Sequence, residues 1–175
     1  SADVLFNLGI LYLDGQIPGV EPLARLTQAL DSQQVLPAQG APLPCRTTLL
    51  ALDESDPDEA AVHASVAQRL AFWLGLDEIG IEQASRFDTL SAAQIQHIQA
   101  QLRVLQPEPA ALKSLAQMAT ELGISDSRAL LFAWRCAQCS AAMNEQAHID
   151  SEDLERAVRL VLLPRATRVP LAAPE

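Results

Sequence analysis

Two apolar segments in the first third of the chain each end on acidic residues. Residues 5–13 lead directly into Asp14, and residues 47–52 lead into the acidic stretch 53–56. Apolar runs of this length are typical of strands buried on both faces of a parallel sheet. Parallel strands end at the same edge, so the pattern predicts two acidic strand ends side by side, at the edge where open α/β sheets bind ligands.

The segments around these two strands alternate in type. Helical spacing of apolar residues predicts an amphipathic helix over residues 20–31, and the prolines of residues 33–44 predict a loop or loose hairpin. A second helix is expected from Pro57, capped by Asp56, up to Leu70. The apolar run 70–76 that follows is a third strand candidate.

The second half of the chain carries only helical patterns. A glutamine-rich helix is expected over residues 91–105, and Pro107 and Pro109 interrupt the pattern beyond it. Three helices should follow: residues 110–122, a helix capped by Ser125 or Ser127 that runs to about Asn144, and one that ends at Pro164. The last of them is opened by Asp150 with Asp153 three residues on. The sequence therefore predicts an α/β core over residues 1–106, an all-α three-helix domain over 107–165 and a linker with two prolines from 166 to 175.

Charge and composition narrow the class of protein. The formal net charge is −10, which argues against a sequence-independent grip on nucleic acid or on an anionic membrane. Lys113 is the single lysine among 12 basic residues, so nearly all cations are arginines, which suit bidentate contacts to phosphate or carboxylate. The sequence has no apolar run long enough to span a membrane and no signal-peptide pattern, so we expect a cytoplasmic protein with reduced thiols. We also expect these residues to be an excerpt of a longer chain.

Two aspartates are the candidate ligand-binding acids. Asp14 ends the first predicted strand, where a carboxylate can face a bound ligand, although it could also be a simple turn residue. Asp56 lies just after the second strand, and its role as a helix N-cap would explain it equally well.

Two arginines could contact a phosphate. Arg69 follows the second predicted helix and could act on a neighbouring subunit, or it could be a solvated arginine at the helix C-terminus. Arg128 opens a long helix and could reach back to the core, or it could be an exposed arginine paired with Asp126.

Other sites are weakly supported or absent. Cys136 and Cys139 form a C-x-x-C pattern inside a predicted helix, and Cys45 cannot complete a four-ligand zinc site, so we expect inert thiols and no metal. The phosphate-binding pattern G-x-x-x-x-G-K-[ST] does not occur in these 175 residues.

The order of these motifs resembles the AAA+ module of the magnesium chelatase I/D family, and within it the D subunits of bacteriochlorophyll-making bacteria. The resemblance rests on the strand ending at Asp14, the stretches 49–59 and 68–72, and above all the closing segment 149–168, which is similar to the family's lid helix. It implies a partial AAA+ core followed by a helical lid. It also implies that Asp14 is the Walker B aspartate, that Asp56 is at the sensor 1 position and that Gly15 replaces the catalytic glutamate.

The same resemblance implies roles for the two arginines and for the whole protein. Arg69 matches the arginine finger that acts in trans, and Arg128 matches the sensor 2 arginine. The implied function is a non-hydrolysing ring platform, a hexamer, that joins the ATPase I subunit and the porphyrin-binding H subunit. That complex inserts Mg²⁺ into protoporphyrin IX with ATP. An active MoxR-type AAA+ ATPase, and a helical protein-interaction module that needs no nucleotide, remain the alternatives.

Overall fold

The computed structural model describes residues 5–13, 20–37, 39–53, 62–76, 79–84, 89–106 and 108–168. The chain divides into two compact units, Ser1–Leu70 and Ala71–Glu175. This division lies ahead of the boundary predicted at residue 107, because the helix that precedes Pro107 packs against the helices that follow it. A boundary at 107, where the type of element changes, stays a prediction for the core and the lid.

The first unit contains a small mixed sheet with the strand order β1-β3-β2. Its strands are β1 (Leu5–Leu13), β2 (Gln34–Val35) and β3 (Leu43–Asp53). β1 and β3 are parallel neighbours, as predicted. β2 pairs antiparallel with the start of β3, which confirms the hairpin alternative for residues 33–44.

Only one face of β3 is packed by the described residues. The helix α1 (Val20–Ser32), close to the predicted bounds, contacts β3 and buries Leu23 and Cys45. Successive side chains of a strand point to opposite faces, and on the other face Leu50 and Leu52 remain 48% and 38% exposed. The expectation that this strand is buried on both faces is therefore wrong for the described residues.

The region after the second strand differs most from the prediction. Within residues 62–76 only the short helix α2 (Ala64–Ala67) forms, capped by His63, instead of a helix that reaches Leu70. Residues 70–76 form no strand, so the third strand candidate is wrong. The predicted cap Asp56 and the start at Pro57 lie outside the described residues.

Helices are the regular secondary structure of the second unit within its described residues. A short α3 (Ile81–Ala84) is followed by α4 (Ala92–Val104), α5 (Pro109–Glu121), α6 (Ser127–Met143) and α7 (Ser151–Ala157). α7 continues through a π-helical turn, Val158–Leu162, and a short 3₁₀ helix, Leu163–Arg165. The predicted three-helix end of the chain is confirmed, as is the predicted helix over 91–105.

The centre of this unit is an alanine-rich face of α6. Four alanines spaced four residues apart are completely buried, and small side chains at this spacing let neighbouring helices approach closely. They are Ala129, Ala133, Ala137 and Ala141. α6 packs there against α4, α5, α7 and the π-helical turn, with Leu115 and Leu162 filling the core.

Helix termini in this unit are fixed by side chains. Asp126, rather than Ser125 or Ser127, caps α6 by accepting the N–H of Arg128. Asp150 and Asp153 form a reciprocal capping box at the start of α7, as predicted from their spacing. Gly123 follows α5 with a φ of +70°, a conformation that favours glycine and ends the helix where predicted.

The last described residues fold back onto α5. The N–H groups of Thr167 and Arg168 both donate to the carbonyl of Leu122, at 3.0 and 3.2 Å. The first residues of the predicted linker are therefore held on the helical unit, and residues 169–175 lie outside the described part of the chain. Among the described residues, no helix is both long and apolar enough to cross a membrane.

Candidate functional site

The parallel pairing of β1 and β3 brings two strand ends to one edge of the sheet. Leu13, the last residue of β1, is the Cα partner of Asp53, the last residue of β3. The two strands therefore end side by side, and the predicted neighbouring position of Asp14, which follows Leu13 in the sequence, stays a prediction. Asp14, Gly15 and Asp56 themselves lie outside the described residues, and their roles stay predictions.

Arg69 lies just after α2 and is held firmly within the first unit. Its backbone N–H donates to the carbonyl of Val66. The side chain of Val66 is fully buried and anchors the short helix. The guanidinium group donates from Nε to Asp31 Oδ1 at 2.9 Å, from Nη2 to Asp31 Oδ2, and from Nη1 to the carbonyl of Ser65 at 2.6 Å. The Arg69 side chain is only 16% exposed, so it is not the solvated arginine of the simpler interpretation.

The partner of Arg69 was missed by sequence reasoning. Asp31 lies in the last turn of α1, 38 residues before Arg69 in the sequence, and no local spacing connects the two. One signal was present: an acid in the last turn of a helix is unfavourable with the helix dipole, and α1 has no basic residue there. Such a carboxylate is stabilised when a cation from elsewhere in the chain pairs with it.

Arg128 begins α6 in the second unit and is partly buried. Its N–H, donating to Asp126 Oδ1 at 2.9 Å, completes the cap of the helix. This bond involves only the backbone of Arg128, so the predicted pairing of its side chain with Asp126 stays a prediction. A contact between Arg128 and a nucleotide stays a prediction.

Arg165 and Trp73 form a second contact that the sequence did not indicate. The guanidinium carbon of Arg165 lies 4.3 Å from the centre of the Trp73 ring, and Nη1 donates to the carbonyl of Val161 at 2.7 Å. Burial lowers the pKa of Arg165, and the charge of Asp126 opposes that shift. Trp73 belongs to the apolar run 70–76, which forms no strand, and Phe72, Leu74 and Leu76 of this run remain 49–65% exposed.

The three cysteines differ in their burial and in their surroundings. Cys136 is buried in α6, Cys139 is exposed one turn later, and all three cysteines of the chain are free thiols. Burial, and then the neighbouring Cys139, raise the pKa of the Cys136 thiol, which favours the unreactive protonated form. Across the described residues, no group of three or more histidine, cysteine or acidic side chains could hold a metal ion.

Comparison with known proteins places these elements in a family. Residues 112–175 match the AAA lid domain. The magnesium-chelatase 60 kDa subunit of Cereibacter sphaeroides is 32% identical over 158 residues, which is 90% of this chain and 26% of that subunit. The 67 kDa subunit of Chlorobaculum tepidum is 46% identical over 63 residues, 36% of this chain and 10% of that subunit. The chain thus spans about a quarter or less of these relatives.

A solved structure supports the fold independently. The crystal structure of a candidate ATPase from Cytophaga hutchinsonii superposes with a TM-score of 0.64 at 14% identity, over 90% of this chain and 57% of that one. Together with the lid match, this confirms the predicted fold class, a partial AAA+ core followed by a helical lid.

Proposed function

We propose that this chain, which belongs to the family of the magnesium-chelatase 60 and 67 kDa subunits, is the AAA+ part of a D subunit that assists ATP hydrolysis without performing it. The observation that carries the proposal is the similarity over 90% of the chain to a magnesium-chelatase subunit. The parallel pairing of Leu13 with Asp53 supports it, because it gives the sheet edge at which AAA+ proteins bind nucleotide.

The acidic edge fits Mg²⁺ bound with ATP. Mg²⁺ prefers carboxylate oxygens and the oxygens of substrate phosphates. β3 ends on Asp53 beside the end of β1, and Asp14 follows β1 in the sequence. In this proposal Asp14 takes the Walker B position and Asp56 the sensor 1 position, while Gly15 stands where an active enzyme has its catalytic glutamate. A glycine cannot polarise the attacking water, so this edge would not turn over ATP by itself.

Arg69 is the residue through which the subunit would act on a neighbour. Arginine fingers stabilise the charge that develops on the transferred phosphoryl group, and in many ATPases a second protomer supplies them. Arg69 is a fixed, charged group supported by three hydrogen bonds, which suits this role. Arg128 would act as the sensor 2 arginine of the lid.

Membership in the family supports a proposal for the larger assembly. We propose that the subunit forms a hexameric ring with copies of itself and joins an ATP-hydrolysing I subunit and a porphyrin-binding H subunit in the cytoplasm. The substrates of that complex would be Mg²⁺, protoporphyrin IX and ATP, in the route to bacteriochlorophyll. The chain's own share is to complete the neighbouring ATP site and to hold the assembly together.

The proposed action of Arg69 on a neighbouring ATP site is tested with the full-length protein assembled with its I subunit. Arg69→Ala should lower the ATP turnover that depends on this subunit by on the order of 10³-fold at each site the arginine completes. Arg69→Lys should recover little, since lysine lacks the planar fork. Arg103→Ala removes an exposed arginine from α4 and should leave turnover unchanged.

Two outcomes would contradict the proposal. Unchanged turnover with Arg69→Ala would remove the arginine from the reaction. Failure of the wild-type protein to form a larger species with Mg-ATP and the I subunit, seen by size-exclusion chromatography, would favour an interaction module that needs no nucleotide.

A further inference from the structure

We infer that Asp31 is a positioning residue for Arg69: it fixes the guanidinium group so that the remaining N–H groups are presented to a phosphate of a neighbouring protomer. The inference rests on the proposed trans role of Arg69. Asp31, which lies in α1 and 38 residues before Arg69, would then contribute to ATP hydrolysis at the neighbouring protomer.

The first argument is how the guanidinium N–H groups are divided. A guanidinium carries five N–H groups, one on Nε and two on each Nη. Asp31 accepts one from Nε and one from Nη2, and the carbonyl of Ser65 accepts one from Nη1. One N–H on each Nη nitrogen remains beyond these bonds. Two donors fixed in one plane match the oxygens of a phosphate better than a freely rotating side chain does.

The second argument is the rigidity of the support. Asp31 extends from α1, which packs on β3, and Ser65 lies in α2, which is anchored by the fully buried Val66. The two elements also contact each other. The guanidinium is thus held from two directions by parts of one compact unit, and its low exposure leaves it few alternative rotamers.

The third argument is the location of Asp31 itself. A carboxylate in the last turn of α1 lies at the negative end of the helix dipole, which is unfavourable. A neutral or basic residue at position 31 would make the helix more stable than an acid does. A role in holding Arg69 explains an acid here, whereas helix stability does not.

The expected effect of losing Asp31 appears in the reaction step. Asp31→Asn keeps the size of the side chain but removes the charge, so the guanidinium loses its charge-assisted pair and samples other orientations. Misplacing a group that acts only in the transition state lowers kcat and leaves KM nearly unchanged. We expect the Arg69-dependent ATP turnover of the assembled complex to fall about tenfold, with the KM for ATP unchanged within about twofold.

The test is a double-mutant cycle in the full-length protein assembled with its I subunit. The four proteins are wild type, Asp31→Asn, Arg69→Ala and the double variant, each checked for assembly by size-exclusion chromatography. If Asp31 acts through Arg69, Asp31→Asn has no further effect on kcat in the Arg69→Ala background. If Asp31→Asn does not assemble, Asp31→Glu replaces it, because its longer side chain keeps the charge but displaces the guanidinium, and the same direction of kcat change is expected.

The outcomes separate the two ideas. Wild-type kcat in Asp31→Asn, with a reduced kcat in Arg69→Ala, would overturn the positioning role and leave the trans role intact. An equal loss from Asp31→Asn in both backgrounds would show that Asp31 acts on the fold, which also overturns the inference. An unchanged kcat in Arg69→Ala would instead contradict the proposed function itself.

Discussion

Thr167 lies directly against Gly123 at the end of α5. Its hydroxyl donates to the carbonyl of Gly123 at 2.8 Å, and a Cβ added at Gly123 would come within 2.4 Å of the Thr167 Oγ1. The same Cβ would lie 2.9 Å from Cγ of Arg168. The absence of a side chain at this position is therefore what allows the end of the chain to return to the helical unit.

Gly123→Ala should destabilise the protein. The φ of +70° is unfavourable for alanine, and the close approach of Thr167 and Arg168 adds a clash, so we expect the free energy of unfolding to fall by about 1–3 kcal/mol. Thermal and denaturant unfolding measure the change. Gly80→Ala is the matched control, because a Cβ there meets nothing within 4 Å, and it should change stability by less than about 0.5 kcal/mol. Equal effects from both variants would show that the contact with Thr167 has no energetic weight.

Ala137→Leu should disrupt the packing of α6. Ala137 is completely buried in the alanine-rich face of the helix, where added methyl groups must displace neighbouring elements. We expect a loss of about 1–3 kcal/mol in the free energy of unfolding. Ala100→Leu makes the same change at an exposed position of α4 and should have little effect. A well-tolerated leucine at position 137 would mean that the centre of the helical unit is loosely packed.

The capping box of α7 should make stability depend on acid pH. The N–H of Asp153 donates to Asp150, and this bond is the main reason that the pKa of Asp150 is lowered. Because the pKa is lower in the folded protein, the stabilisation is complete above the ordinary carboxyl pKa and is lost as the pH falls through the lowered value, below about pH 4.

Asp150→Ser isolates this contribution. Serine can still accept the Asp153 N–H but carries no charge, so the stability difference between wild type and variant should shrink as the pH falls from 7 to 3. Unfolding curves recorded across that range measure it. A difference that stays constant would contradict a stabilising role for the Asp150 charge.

The apolar pattern predicted some elements correctly because residues close together in the sequence determine them. The strand pair β1 and β3, the helices α4 to α7 and the capping box all follow from apolar spacing and from residues within one turn of a helix. The apolar run 70–76 was misassigned as a strand because a short apolar run does not by itself determine which structure it adopts. In the structure Trp73 contacts Arg165 instead of pairing in a sheet.

The candidate site was only partly accessible from the sequence. The parallel neighbours β1 and β3, which end at one edge of the sheet, could be predicted from their apolar runs. The pair between Asp31 and Arg69 could not, because the fold brings together residues that are 38 positions apart. The exposed face of β3 was also missed, since a run of leucines does not reveal which elements cover it.

ATP turnover by the full-length protein alone tests the central proposal most directly. Released phosphate should be measured with Mg-ATP in the absence of the I subunit, and then after the I subunit is added. Because Gly15 stands in the position of the catalytic glutamate, we expect no turnover above background from the protein alone, and turnover that responds to Arg69→Ala once the I subunit is present. Robust hydrolysis by the protein alone would contradict the proposal that it is a non-hydrolysing platform.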